Sequence, residues 1–196
     1  MSLEGQKTTT SYMEWNDFVS FITRLEKDEE YKFCLLISIG VFTGLRISDL
    51  LNLRYQDILH REVISIQEKK TKKQRSIKVN PDLREIIERI VKKQGLKDYS
   101  EFIFINKYGT KPIDKSYVNV KLKELFKRYK VKVGGNISTH TFRKTLGRRV
   151  VELNNYSDKS MVLLMELFGH SSQSITKRYL GIREQEIHDV YDSLSL

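Results

Sequence analysis

The chain has 196 residues, 39% of them hydrophobic and 31% charged, a balance that suits a globular domain with its own core and excludes a disordered tail or a fibre. No apolar run approaches the ~20 residues that span a bilayer, and no secretory signal opens the chain, so a cytoplasmic protein is expected. Lys and Arg total 35 against 25 Asp and Glu, a net charge of +10 that favours a polyanionic partner, nucleic acid foremost. The single cysteine, Cys34, excludes an internal disulfide and leaves the four histidines without the thiols of a zinc site.

Residues 1–10 read as a flexible lead-in, with Met1-Ser2-Leu3 resembling an expression start, and residues 11–196 as one domain without repeat or linker. Ser11 is placed to cap a first helix with Trp15, Phe18, Val19 and Ile22 on its apolar side. From Glu30 to Val41 the apolar residues are too continuous for a surface helix, which predicts a central one. Thr43-Gly44 breaks it, and a short helix from Arg46 to Leu53 follows. Val63–Gln67 and Ser76–Val79 read as strands around a lysine-rich turn, with a third β segment at Phe102–Ile105. Pro81 opens a helix running to Lys93, and Asp114 or Ser116 caps one running to Tyr129. Ser138 or Thr139 caps another from His140 to Leu153. Helical patterns continue at Lys159–Phe168, Ser174–Tyr179 and Arg183–Leu194. The fold class is therefore mostly α with a small antiparallel β-sheet (α+β).

Four elements could carry chemistry. His140 and Arg143, spaced i, i+3 at a helix start, share one face and can present an imidazole and a guanidinium to an anion. Gly44 turns the chain so that Arg46 stands at a fresh helix N-terminus, with Asp49 placed to hold its guanidinium or the neighbouring backbone. Gly169-His170 is followed nine residues later by Tyr179. The turn Lys69, Lys70, Lys72, Lys73 and Arg75 is either a solvated hairpin tip or a phosphate-gripping finger. Taken singly, each is better explained by structure: an exposed ion pair, a helix cap, a core tyrosine.

Their order is more specific. Arg46, a hairpin lysine, His140-x-x-Arg143, Gly169-His170 and Tyr179, in the segments TGLRISDL, HTFR, FGHSS and ITKRYL, resemble the tyrosine recombinase (phage integrase) family from about Trp15 to Tyr191. The resemblance implies the catalytic-domain fold of that family and a site-specific DNA recombinase, metal- and ATP-independent, with no cofactor. Tyr179 would attack the scissile phosphorus to give a 3′-phosphotyrosyl link and a free 5′-hydroxyl. Arg46 and Arg143 would hold the non-bridging oxygens, His140 and His170 would donate to the phosphate, and Lys70 would protonate the leaving 5′-oxygen. Lys72 is the rival for that last role, and Asp49 matches a supporting acidic position. Lys69, Lys72, Lys73, Arg75, Lys144, Lys177 and Arg178 are candidate DNA contacts.

The resemblance further implies double-stranded DNA as partner, a tetramer assembled on it, a monomeric isolated domain, and a bacterial, phage or mobile-element origin. An N-terminal core-binding domain, usual in the family, has no counterpart here, so a fragment of a longer integrase is expected. Three other readings stay open at this point: a type IB topoisomerase relaxing DNA with a similar site, a non-catalytic DNA-binding module of the same fold, and a plain basic RNA-binding protein.

Overall fold

The computed structural model describes residues 10–181 and 191–194. The chain order is α1 (Trp15–Lys27), α2 (Tyr31–Thr43), α3 (Ile47–Leu50), α4 (Tyr55–Ile58), β1 (Val63–Gln67), β2 (Gln74–Lys78), α5 (Pro81–Gln94), α6 (Lys115–Arg128), α7 (His140–Leu153), α8 (Asp158–Phe168) and α9 (Gln173–Leu180). The predicted lead-in over its first nine residues, and most of the Arg183–Leu194 helix, lie outside the described residues. Among those described, no helix is long and apolar enough to cross a membrane.

The continuous apolar run becomes α2, the axis of the domain: Leu35, Leu36, Ile37 and Ile39 are fully buried. Around it α1 contributes Phe18, Phe21, Ile22 and Leu25, α5 contributes Leu83, Ile87 and Ile90, and α6 contributes Val118, Leu122, Leu125 and Phe126, all in one core. A second, smaller core forms where α7, α8 and α9 meet, from Val151, Met161, Leu164, Phe168 and Leu180, with Leu146, Leu167 and Tyr179 packed against it. The segment bearing Tyr179 thus rests on its own apolar cluster.

β1 and β2 form a two-stranded antiparallel sheet with Val63 opposite Lys78 and Gln67 opposite Gln74, so the lysine turn closes a true hairpin. The third β segment expected at Phe102–Ile105 is not a strand of this sheet. Phe102 and Ile105 make isolated bridges, to Arg54 and Pro112, because the chain here only braces loops.

Two local expectations are corrected, and a third is narrowed. Ser11 does not cap α1: its N–H donates to the Asn136 carbonyl at 3.0 Å, and α1 starts after Glu14 without a side-chain cap. Val19 faces solvent at 44% exposure, while Phe21 and Leu25 complete the buried stripe. At α7, Thr139 occupies the cap position but Ser138 does the capping, its hydroxyl accepting from the His140 N–H at 3.2 Å. Asn80 and Asp114 cap α5 and α6 through their side chains, which stabilises each by about 1 kcal/mol.

Candidate active site

Arg46 and Arg143 come together from opposite ends of the sequence. Gly44 ends α2 at φ +58°, a left-handed conformation that a side chain would strain, and this turn swings Arg46 to the start of α3. Arg143, on the first turn of α7, is 6% exposed. Its Nη1 donates to the Gly44 carbonyl at 2.6 Å and its Nη2 to the Phe168 carbonyl at 3.2 Å, with the guanidinium lying 4.6 Å from the Phe168 ring centroid. Arg46 Nη2 donates to the same Phe168 oxygen at 3.2 Å, and its Nη1 donates to Glu68.

The Tyr179 ring packs into this assembly. It sits edge-on to Phe168 and His170, with centroid separations of 5.6 and 5.2 Å, and 6.5 Å from the His140 ring. Its hydroxyl is buried without a hydrogen bond of standard geometry. Burial raises its pKa, and the fields of Arg143 and Arg46 pull the other way without overcoming it. A close approach of α9 to α7 makes this docking possible: a Cβ on Gly147 would lie 2.5 Å from Leu180 and 3.2 Å from Phe168.

The two imidazoles flank the tyrosine. His170 pairs its Nδ1 with the Thr176 hydroxyl at 3.0 Å, which fixes the ring's rotation. Its pKa is lowered, by burial first and then by Arg143 and Arg46. His140 is exposed at its outer edge, yet partial burial is the largest cause lowering its pKa, followed by Lys115, Arg143 and Lys144. Both shifts favour the neutral imidazole, which offers one donor and one acceptor nitrogen.

The remaining residues divide. Lys69, Lys70, Lys72 and Lys73 are exposed on the hairpin turn, where Lys72 adopts φ 59°. Arg75 does not stay with them: its side chain turns inward, with Nη2 donating to the Thr43 carbonyl at 2.7 Å and Nη1 3.8 Å from Glu68. Lys144, also a candidate DNA contact by sequence, is 8% exposed, and its Nζ lies 5.3 Å from the centroid of the Tyr179 ring. Arg178 is exposed and Lys177 half-buried on α9.

Asp49 reaches across to the hairpin rather than to its expected partner Arg46. Its Oδ1 accepts from the backbone N–H of Lys69 at 2.9 Å, not from Arg46. The carboxylate on Arg46 is Glu68, a residue the sequence reading missed. Its one legible signal was an acid directly before a lysine run. Glu68 is buried and also accepts from the Thr71 hydroxyl at 2.6 Å. Burial works against its charge, but Thr71 and Arg46 prevail and its pKa ends below the usual carboxylate value.

Two guanidiniums, two imidazoles and a tyrosine hydroxyl thus meet in one α+β domain, a donor set able to receive an anion. The phage integrase family model matches residues 11–186, and the chain belongs to that family. It is 32% identical over 179 residues to the probable integrase/recombinase YoeC of Bacillus subtilis, covering 87% of this chain and 93% of that protein. It is 27% identical over 181 residues to the tyrosine recombinase XerA of Pyrococcus horikoshii, covering 92% of this chain and 60% of XerA. The fold matches that of the XerH site-specific recombinase solved on its difH substrate, with a TM-score of 0.68 at 18% identity, over 98% of this chain and 55% of that one. The chain thus spans nearly all of YoeC but little more than half of the XerA and XerH chains.

Proposed function

We propose that this chain is the catalytic domain of a site-specific DNA recombinase that cuts and rejoins duplex DNA through a covalent bond to Tyr179. The observation that carries this reading is the burial of the Tyr179 hydroxyl beside the Arg143–Arg46 pair, between two imidazoles. Duplex DNA as partner is supported by the charge of +10 and by likeness to a Tn1549 transposon integrase solved in complex with a circular intermediate DNA.

A phosphodiester in this site would receive guanidinium donors from Arg46 and Arg143 on its non-bridging oxygens, where negative charge concentrates in the five-coordinate transition state. His170 adds a neutral donor. Tyr179 Oη forms the new bond to phosphorus as the bond to the 5′-oxygen breaks. The phenolic proton leaves toward His140, whose lowered pKa keeps a nitrogen free to accept it. Lys70 gives a proton to the departing 5′-oxygen, with Lys72 the other ammonium on the turn able to do so. Because the phosphodiester energy is kept in the phosphotyrosine, a second 5′-hydroxyl reverses the sequence and no nucleotide is consumed. The Arg178 and Lys177 side of α9 and the lysine turn would meet flanking phosphates, and a tetramer on DNA would bring four such sites together.

The test is a nicked suicide substrate, in which the short 5′-hydroxyl fragment diffuses away and traps the covalent adduct. Wild type is expected to form an adduct that Tyr179→Phe does not. Adduct surviving that substitution ends the proposal. Relaxation of supercoils without strand exchange would move the reading to a topoisomerase.

A further inference from the structure

We infer that Glu68 is a positioning residue that staples the lysine turn to Arg46 and thereby sets Lys70 for proton transfer to the leaving oxygen. The inference rests on the reading above, in which an ammonium of this turn is the general acid. A turn bearing Lys69, Lys70, Lys72 and Lys73 stands next to three guanidiniums, those of Arg46, Arg75 and Arg143. Like charges at these separations repel, and a free hairpin tip would swing into solvent. Instead it is fastened on both sides of Lys70.

On the upstream side, the Glu68 carboxylate accepts from Arg46 and lies 3.8 Å from Arg75 Nη1, and the Lys69 N–H donates to Asp49 at 2.9 Å. On the downstream side, the Thr71 hydroxyl donates to the same Glu68 carboxylate at 2.6 Å, and the Lys72 N–H donates to the Glu68 carbonyl at 2.9 Å. Lys70 is left between these anchors with its side chain exposed. One carboxylate therefore connects the guanidinium that would hold the phosphate with the backbone that would carry the acid. Proton transfer depends steeply on that separation, so loosening the staple is a catalytic defect even with the fold intact.

The test compares two suicide substrates, one with the natural 5′-oxygen at the scissile phosphate and one with a 5′-bridging sulfur. A thiolate leaves without a proton, so a defect confined to the general acid disappears with sulfur. Glu68→Gln, and Thr71→Val, which cuts the staple without touching Arg46, are each expected to slow adduct formation about 10-fold or more on oxygen. Both should return to within about 3-fold of wild type on sulfur, as Lys70→Ala is also expected to do. Equal slowing on both substrates would place Glu68 with the phosphate-holding groups and overturn the inference, as would full activity of both variants on oxygen. If wild type forms no Tyr179-dependent adduct on either substrate, the nucleophile reading fails and carries the proton-transfer role down with it. The staple itself is then judged by amide hydrogen exchange in the free protein. Faster exchange at Lys69 and Lys72 in both variants supports it, and unchanged exchange removes it.

Discussion

Arg46 and Arg143 share one acceptor: each donates Nη2–H to the carbonyl oxygen of Phe168 at 3.2 Å. Phe168 is the last residue of α8, and Gly169 turns the chain away in the left-handed region. A helix C-terminus leaves carbonyls without internal partners and carries the negative end of the helix dipole. That end offsets the repulsion between the two guanidiniums that lie side by side on it. Because α8 also supplies the ring on which Tyr179 rests, the same helix end sets the charge pair and Tyr179.

Substitution of Arg143 by Lys keeps the charge but cannot reach the Gly44 and Phe168 carbonyls together. Adduct formation is expected to fall on the order of 100-fold or more, and stability by about 1–3 kcal/mol from the buried acceptor left unpaired. Single-turnover cleavage and urea unfolding measure the two effects. An Arg143→Lys protein with wild-type cleavage would show that the fork geometry is unused.

Gly147 is where α9 rides closest to α7. A methyl group there meets Leu180 at 2.5 Å, so Gly147→Ala is expected to lift α9 and displace Tyr179. Overpacking of this kind costs about 1–3 kcal/mol, and misplacing a nucleophile by ~1 Å slows chemistry about 100-fold. DNA affinity should hardly change, since no phosphate contact is removed. A gel-shift titration beside the adduct assay separates the two, and an unchanged adduct rate would mean that α9 moves independently of this contact.

The burial of Lys144 against the Tyr179 ring distinguishes it from the exposed turn lysines. A lysine that neutralises a phosphate contributes close to one unit to the slope of log affinity against log salt. Lys73→Ala is expected to flatten that slope. Lys144→Met should leave it unchanged and slow adduct formation instead. The salt dependence of duplex binding decides this, and a flattened slope for Lys144→Met would return the residue to the DNA-contact group.

Both histidines have pKa values lowered from 6.5, so in each case the unfolded chain binds the proton more readily than the folded one. Their contribution to stability is therefore full above pH 6.5 and is lost as pH falls through the lower, folded values. Cleavage follows the same sign if neutral His140 accepts the phenolic proton. The acid limb of the single-turnover profile should lie below pH 6.5, and it should be altered in His140→Gln but retained in Lys70→Ala. A limb that is identical in His140→Gln would assign the proton to another acceptor.

The helices around α2, the hairpin and the helical start at His140 were legible because each rests on local rules: apolar periodicity, strand alternation, the Pro81 start, the Asp114 cap, the helix break at Gly44. The third strand was misread because a short apolar run is the same string whether it joins a sheet or bridges two loops. The candidate site residues were picked out by type and order, and the structure brings Arg46, Arg143, His140, His170 and Tyr179 into one neighbourhood. Their partners were not picked out. Asp49 lay three residues from Arg46 and reached Lys69 instead, while Glu68 reached Arg46 across the hairpin.

Arg75 and Lys144 looked like any other surface cations until packing turned Arg75 inward and buried Lys144. Charge type, helix periodicity and turn chemistry are properties of neighbouring residues, and the sequence by itself determined them. Which carboxylate faces which guanidinium, and which cation leaves solvent to stand under Tyr179, were decided only when α7, α8 and α9 closed on the hairpin and α3. Desolvation and Coulomb energy depend on distance in space, and distance along the chain does not encode it.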